Sequence, residues 1–298
     1  MLAFAIVLVS SCKTAQKGGA TAVTLDEPLP HERSLFWQVS GNGLEKPSYL
    51  FGTIHIIGVD DFFLGENARK KLRNSQVLVM EMDIKNINPM AIASKALLPD
   101  NKTIEDYLEP EDYQTLLIFF RDSIGVNETL FKAAYSRMKP FFLQQMTMLK
   151  FMGGATESYE IYFSNMAEEL DIKMAGLETL EEQLAVLDVM SLDEQIEGMV
   201  QMIRNYSDQS FNFEELLQAY KAQDINKLYE LIQSSEDVKD ITNTLLDERN
   251  QKWIPKLEDF FKAGNSFVAV GAGHLAGPDG VITLLRNQGY TVVPISMD

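Results

Sequence analysis

The chain has 298 residues, 46% of them apolar, which is enough for a sizeable core and is not the composition of a disordered segment. Asp and Glu number 43 against 26 Lys and Arg, a formal charge of −17. That imbalance argues against nucleic acid as a partner and against an electrostatic dock on anionic lipid.

Residues 2–9 form an apolar run, too short to span a bilayer and suited to the core of a signal peptide. The chain's single cysteine, Cys12, follows directly after Ser10 and Ser11, so no intramolecular disulfide is available. Val9-Ser10-Ser11-Cys12 resembles the bacterial lipoprotein signal, in which the cysteine is lipidated and becomes the first residue. The expectation is a lipoprotein signal peptide over 1–11, lipidation at Cys12, and a flexible tether over 12–33 that carries Pro28 and Pro30. Lys13, with no acidic cluster after the cysteine, fits by the same resemblance an outer-membrane lipoprotein facing the periplasm. The lipid is then the only membrane contact. His31 lies in the tether and is given no role.

Folded structure is expected over 34–298. Residues 35–39 read as a strand, Gly41-Asn42-Gly43 as a turn, and 49–51 as a second strand running into Gly52-Thr53-Ile54-His55, the pair forming a hairpin with a long loop. A short helix covers 66–73. The continuous apolar run 77–80 is a buried interior strand that ends in Glu81. A helix opens at Glu109-Pro110, with Tyr113, Leu116, Leu117 and Phe120 on its apolar face. A long helix over 130–152 is broken at Pro140, another covers 159–170, and 172–175 forms a short strand that stops at Gly176. Stripes at Ile196/Met199/Val200/Ile203, Phe213/Leu216/Leu217/Tyr220, Ile225/Leu228/Tyr229/Ile232 and Trp253/Leu257/Phe260/Phe261 mark core faces of further helices. The buried strand 267–270 reaches Gly271-Ala272-Gly273-His274; a helix over 281–287 is capped by Gly289, and 291–295 is a last strand whose Pro294 suits a sheet edge. The fold class is α/β: one domain with a mixed central sheet built from the N- and C-terminal segments and a large helical insertion over about 90–262.

The same local pattern, an apolar strand followed by Gly-x-x-His, occurs twice and delivers His55 and His274, two of only three histidines. In open α/β sheets ligands bind at the C-terminal ends of the strands, and glycine there permits a sharp turn or close approach to a ligand. The strand 77–80 brings Glu81 to its own end. Two imidazoles and a carboxylate make a three-ligand set for a catalytic divalent ion with positions left open for water. Glu81 either completes that set or acts as general base beside it. Arg249 is a candidate to clamp a carboxylate or stabilise an oxyanion, and Glu178 to orient a ligand histidine through its second ring nitrogen; an ion pair of purely structural purpose is the alternative for both.

At these residues the sequence resembles the TraB/GumN family, which includes the Tiki proteins. The resemblance runs from about 35 to 295 and rests on Leu35-Phe36-Trp37-Gln38-Val39-Ser40, Pro47-Ser48-Tyr49-Leu50-Phe51-Gly52-Thr53-Ile54-His55, Val79-Met80-Glu81-Met82-Asp83, Ala175-Gly176-Leu177-Glu178-Thr179 followed by Glu182-Gln183-Leu184, Glu248-Arg249-Asn250 with Trp253, and Val270-Gly271-Ala272-Gly273-His274-Leu275-Ala276-Gly277-Pro278-Asp279-Gly280 running into Leu284-Leu285-Arg286 and Gly289-Tyr290. It implies a fold like that of the erythromycin-esterase and Tiki groups. It also implies a metal-dependent, peptidase-like hydrolase in which His55, His274 and Glu81 hold or serve a divalent ion such as Mn, Co or Zn. The substrate is then a peptide or a small molecule with an amide or ester bond. Where many relatives have Asp ahead of the mid-chain helix, this chain has Glu160. The alternative is a lipoprotein that binds a metal, haem or a signal peptide without turnover; a third possibility is an interaction protein whose site has become structural.

Overall fold

The computed structural model describes residues 32–86, 89–151, 154–187, 189–234 and 246–298. The expected lipoprotein signal, Cys12, His31 and nearly all of the tether lie outside them. Among the described residues, strands β1 (Phe36–Gly41), β2 (Ser48–Thr53), β4 (Val77–Met82), β6 (Lys173–Glu178), β7 (Ser266–Gly271) and β8 (Tyr290–Pro294) form a six-stranded sheet in the order β6-β4-β7-β2-β1-β8. Strands β6, β4, β7 and β2 run parallel; β1 is antiparallel to both its neighbours. Strand β7, from the far end of the chain, slots between β2 and β4, with Thr53 opposite Gly271 and Met80 opposite Ala269. Every residue of β2 and of β7 is buried, which is why both read as continuous apolar runs rather than as alternating ones. Pro294 does sit on an edge strand, where the ladder bond it cannot donate is not missed.

A second, two-stranded sheet, β3 (Ile56–Gly58) with β5 (Thr156–Ser158), has no counterpart among the sequence expectations. Each strand is three residues long, too short for any periodicity to register.

The helices are α1 (Glu66–Arg73), α2 (Pro89–Lys95), α3 (Pro110–Phe119), the single turn α4 (Glu128–Leu130), α5 (Pro140–Phe151), α6 (Tyr159–Glu169), α7 (Leu180–Leu187), α8 (Leu192–Arg204), α9 (Tyr206–Lys221), α10 (Ile225–Ser234), α11 (Glu248–Ala263) and α12 (Val281–Asn287). The expected helix over 130–152 is two pieces. Residues Phe131–Tyr135 form a π turn and α5 starts afresh at Pro140, whose ring disfavours helical backbone at Lys139 while suiting a first helical position. The expected strand over 172–175 runs on to Glu178. Gly176 does not end it: a Cβ there would lie 2.7 Å from the Asp83 backbone nitrogen, so the glycine lets β6 lie close against the end of β4.

The helical insertion is therefore interrupted by a strand of the central sheet, and it divides by packing. One hydrophobic cluster holds the sheet together with α6, α9, α10, α11 and α12, and a second joins Leu98 to Leu116, Leu143, Met199 and Ile203 of α3, α5 and α8 and to Phe120 and Phe131 of the π turns Phe120–Ile124 and Phe131–Tyr135. On one face of the sheet Phe51, Phe163 and Phe267 pack with ring centroids 5.3 Å (Phe51 to Phe163) and 5.3 Å (Phe163 to Phe267) apart. Tyr159, Phe163 and Ala167 present that face from α6 at i, i+4, i+8 spacing. Among the described residues no helix is long and apolar enough to cross a membrane.

Candidate active site

Because four neighbouring strands are parallel, their C-terminal ends meet at one edge, and that edge collects the site. After β2 the chain turns at His55, whose φ of +56° lies in the left-handed region that non-glycine residues seldom adopt. The turn is held from both sides, by Thr53 in the sheet and by Ile56, which pairs with Ser158 across the small β3–β5 sheet. That small sheet has a consequence for chemistry, since it leads directly into α6 and sets Glu160 in the first turn of that helix beside His55. Glu160 Oε1 accepts from His55 Nδ1 at 2.8 Å and from Thr53 Oγ1 at 2.7 Å, and its Oε2 accepts from Ser158 Oγ at 3.1 Å. A carboxylate at a helix N-terminus is also favoured by the helix dipole. A carboxylate accepts and does not donate, so Nδ1 carries a proton and Nε2 is the nitrogen turned toward the site.

Glu81 projects from β4 between the histidines. Its Oε1 accepts the Gly271 backbone N–H at 2.8 Å and stands 3.9 Å from His55 Nε2 and 3.7 Å from His274 Nε2. Its Oε2 accepts from Arg249 Nη2 at 2.8 Å and from Gln183 Nε2 at 3.3 Å. Burial pushes this carboxyl upward, but Arg249, the two imidazoles and the Gly271 N–H together hold it well below the usual carboxylate range. Burial likewise opposes the charge on His55, yet the adjacent Glu160 carboxylate, with Glu81 behind it, outweighs that and lifts the imidazole to about 9. His274 goes the other way. Its side chain is 5% exposed, and desolvation prevails over the pull of Glu81, taking it down to about 3 so that it is neutral. Its ring lies 4.4 Å from that of Trp253, centroid to centroid.

The first turns of α11 supply the remaining groups. Asn250 Oδ1 faces His274 Nδ1 at 2.7 Å, and Arg249 spans the site. Arg249 Nε donates to Glu178 Oε1 at 2.9 Å and Nη2 to Glu178 Oε2 at 2.8 Å, while Trp253 Nε1 donates to Glu178 Oε1 at 2.9 Å. Of the two expectations for Glu178, the geometry matches the ion pair. Glu178 does not orient a histidine; it stands at the end of β6 and neutralises Arg249. Arg249 does clamp carboxylates, but they are the protein's own, Glu81 and Glu178. The orienting partners are Glu160 for His55 and Asn250 for His274. In the sequence Glu160 stands out only as a departure from a family pattern, and Asn250 only by its place beside Arg249.

All five sequence candidates, His55, Glu81, Glu178, Arg249 and His274, converge at this edge. The His55 side chain is 23% exposed, so the cluster opens to solvent on that side. Among the described residues no three His, Cys, Asp or Glu side chains close to the spacing of a filled metal cage. The donor types fit a divalent cation: two imidazoles, each with its Nδ1 tied to an acceptor, and one carboxylate oxygen facing both Nε2 atoms. They surround a space that a single methyl group would fill, since a Cβ on Gly271 would lie 3.2 Å from Glu81 Oε1, 3.3 Å from His55 Nε2 and 3.5 Å from His274 Cδ2. The Gly271 backbone (φ −52°, ψ 135°) suits alanine as well as glycine. Gly271→Ala is therefore expected to leave the thermal midpoint within a few degrees of wild type while it depresses activity by about a hundredfold or more, as misplacement by about 1 Å can. Activity within a factor of two of wild type would show that the space is not used.

A family model described as the TraB/PrgY/gumN family matches residues 35–294. Among curated proteins, "Metalloprotease TIKI1" of Xenopus tropicalis is 23% identical over 98% of this chain and 67% of its own length. "Metalloprotease TIKI1" of Danio rerio is 22% identical over 96% of this chain and 68% of its own length. "Metalloprotease TIKI2" of Xenopus tropicalis is 23% identical over 87% of this chain and 59% of its own length. No solved structure gives a significant match.

Proposed function

The chain belongs to the TraB/PrgY/gumN family, and from that premise we propose that it is a metal-dependent hydrolase of peptide, amide or ester bonds, with His55, His274 and Glu81 around the cation. The observation that carries the reading is the convergence of two imidazole Nε2 atoms on one carboxylate oxygen, each imidazole fixed through Nδ1 by a separate partner. Relatives with metalloprotease in their names support it. When bound, a divalent ion supplies Lewis acidity, polarising a carbonyl and lowering the pKa of water. The protein's own groups do the rest. Glu160 and Asn250 hold the two rings with Nε2 inward, so little reorganisation precedes binding. Glu81, kept anionic by Arg249 and the Gly271 N–H, offers Oε1 as a ligand or as a proton acceptor. The partly exposed His55 side is the entry for substrate.

The test is hydrolysis of a quenched peptide library by the protein stripped with chelator and then supplied with Mn²⁺, Co²⁺ or Zn²⁺. Activity is expected to return with at least one metal and to fall about a thousandfold in both His55→Ala and His274→Ala, the loss of several kcal/mol of transition-state stabilisation. Undiminished turnover in the chelated protein, or in either variant, would falsify the reading. Stoichiometric metal binding with no turnover on any substrate class would favour a sequestering role instead.

The same proposal has the protein held by a lipid on Cys12 and facing the periplasm from the outer membrane. Support comes from the apolar run ahead of Val9-Ser10-Ser11-Cys12. Cys12→Ala is expected to move the protein from the membrane pellet to the soluble fraction; a wild-type protein already soluble in fractionation defeats the idea.

A further inference from the structure

The hydrogen-bond network around His274 determines what each atom offers a cation, and one group in it competes with the metal for those atoms. Asn250 Nδ2 donates to the backbone carbonyls of Asp279 at 2.8 Å and His274 at 3.4 Å. Its amide is thereby oriented with Oδ1 toward His274 Nδ1. Oδ1 only accepts, so Nδ1 carries a proton, and a donor placed against Nε2 meets that nitrogen's lone pair. The group 3.3 Å from that lone pair is Arg249 Nη1, which only donates. The neighbouring Nη2 donates to Glu81 Oε2 at 2.8 Å. One guanidinium therefore engages His274 Nε2, a donor expected to face a metal, and also the Glu81 oxygen turned away from the imidazoles. That guanidinium is not loosely placed. Its opposite edge is fixed by Glu178, its carbon lies 5.0 Å from the Trp253 ring centroid, and Arg249 is 7% exposed. An arginine cannot shed its charge to make way for another cation.

We propose that Arg249 is a resident counter-cation that takes the metal's place at His274 Nε2 when no metal is bound, so that loading the site is an exchange in which Nη1 gives up His274 while Nε and Nη2 keep their hold on Glu178. This rests on the metal-dependent reading above. It gives Arg249 a definite job as a positioning residue: it keeps a dense set of acceptors satisfied without metal and sets the affinity with which metal enters.

The experiment titrates Co²⁺ into the chelator-stripped full chain, read by calorimetry and by the visible absorption of bound Co²⁺. The main variant is Arg249→Met/Glu178→Gln, which removes both charges together and keeps an apolar stem against Trp253. Its Co²⁺ affinity is expected to rise on the order of ten- to a hundredfold over wild type, the size of effect that outer partners of metal ligands exert. Adding His274→Ala should then abolish the gain. If the double variant fails to fold by circular dichroism, Arg249→Lys serves, because a single ammonium can stay with Glu178 but cannot also reach His274. It too should bind Co²⁺ more tightly. Equal or weaker binding in a folded variant, with wild type binding Co²⁺ normally, overturns the role of Arg249 and leaves the metal reading intact. No Co²⁺ binding by wild type or by any folded variant overturns both.

Discussion

Glu81→Gln is expected to cost about a thousandfold or more in kcat/KM with native circular dichroism retained, an effect of several kcal/mol on the transition state. The substitution preserves shape but not charge. A carboxylate meets the Gly271 N–H with one oxygen and the donors of Arg249 and Gln183 with the other. An amide has a single oxygen, so its NH₂ must face donors on one side or the other. Whichever way it turns, the anionic oxygen facing both imidazoles is gone. Folding should tolerate this, because Arg249 keeps the bidentate grip of Glu178. Co²⁺ titration of the same variant separates the two roles: a ligand loses affinity together with activity, whereas a base loses kcat alone. Turnover near the wild-type rate would remove Glu81 from the chemistry.

Much of this site was legible in the sequence because its parts sit where chain-local signals point. Apolar runs ending in Gly-x-x-His mark buried strands, and parallel strands put their ends on one edge, so His55, His274 and Glu81 could be brought together from pattern alone. The reason for the glycine was less legible. Gly271 makes no unusual turn; it is small because three functional groups crowd the place its side chain would take. The left-handed residue is His55 itself. The supporting partners were not legible at all. Glu160 reaches His55 across 105 positions through two three-residue strands that no period reveals, and Asn250 meets His274 only because α11 packs against β6 and α12. Gly176 misled in the opposite sense. A glycine that ends a strand and a glycine that lets two backbones pass look alike until the neighbour, here Asp83, is known. Reading β6 as ending there leaves Glu178 off the sheet edge, where the longer strand in fact places it.

Glu178→Leu is expected to destabilise the protein by about 3–5 kcal/mol, the usual consequence of breaking a buried ion pair by removing one partner. Glu178 is 7% exposed in its side chain and Arg249 9%, so water cannot replace the lost carboxylate. Arg249 would keep Glu81 alone, and the Trp253 indole N–H would be left without its acceptor, a cost of about 1–3 kcal/mol by itself. The measurement is urea unfolding, with the midpoint shifting at nearly constant slope. Glu178→Gln, which retains an acceptor for Trp253, should fall between Leu and wild type. An internal standard is available in the Lys85–Glu168 pair, whose side chains are 43% and 59% exposed; Glu168→Ala should cost no more than about 1 kcal/mol. If Glu178→Leu proves as mild as Glu168→Ala, the Arg249 network is not held by this carboxylate. If it is as severe as expected, the same contacts that keep α11 against the sheet edge also hold Arg249 beside His274, and one buried guanidinium ties the stability of the fold to the geometry of the site.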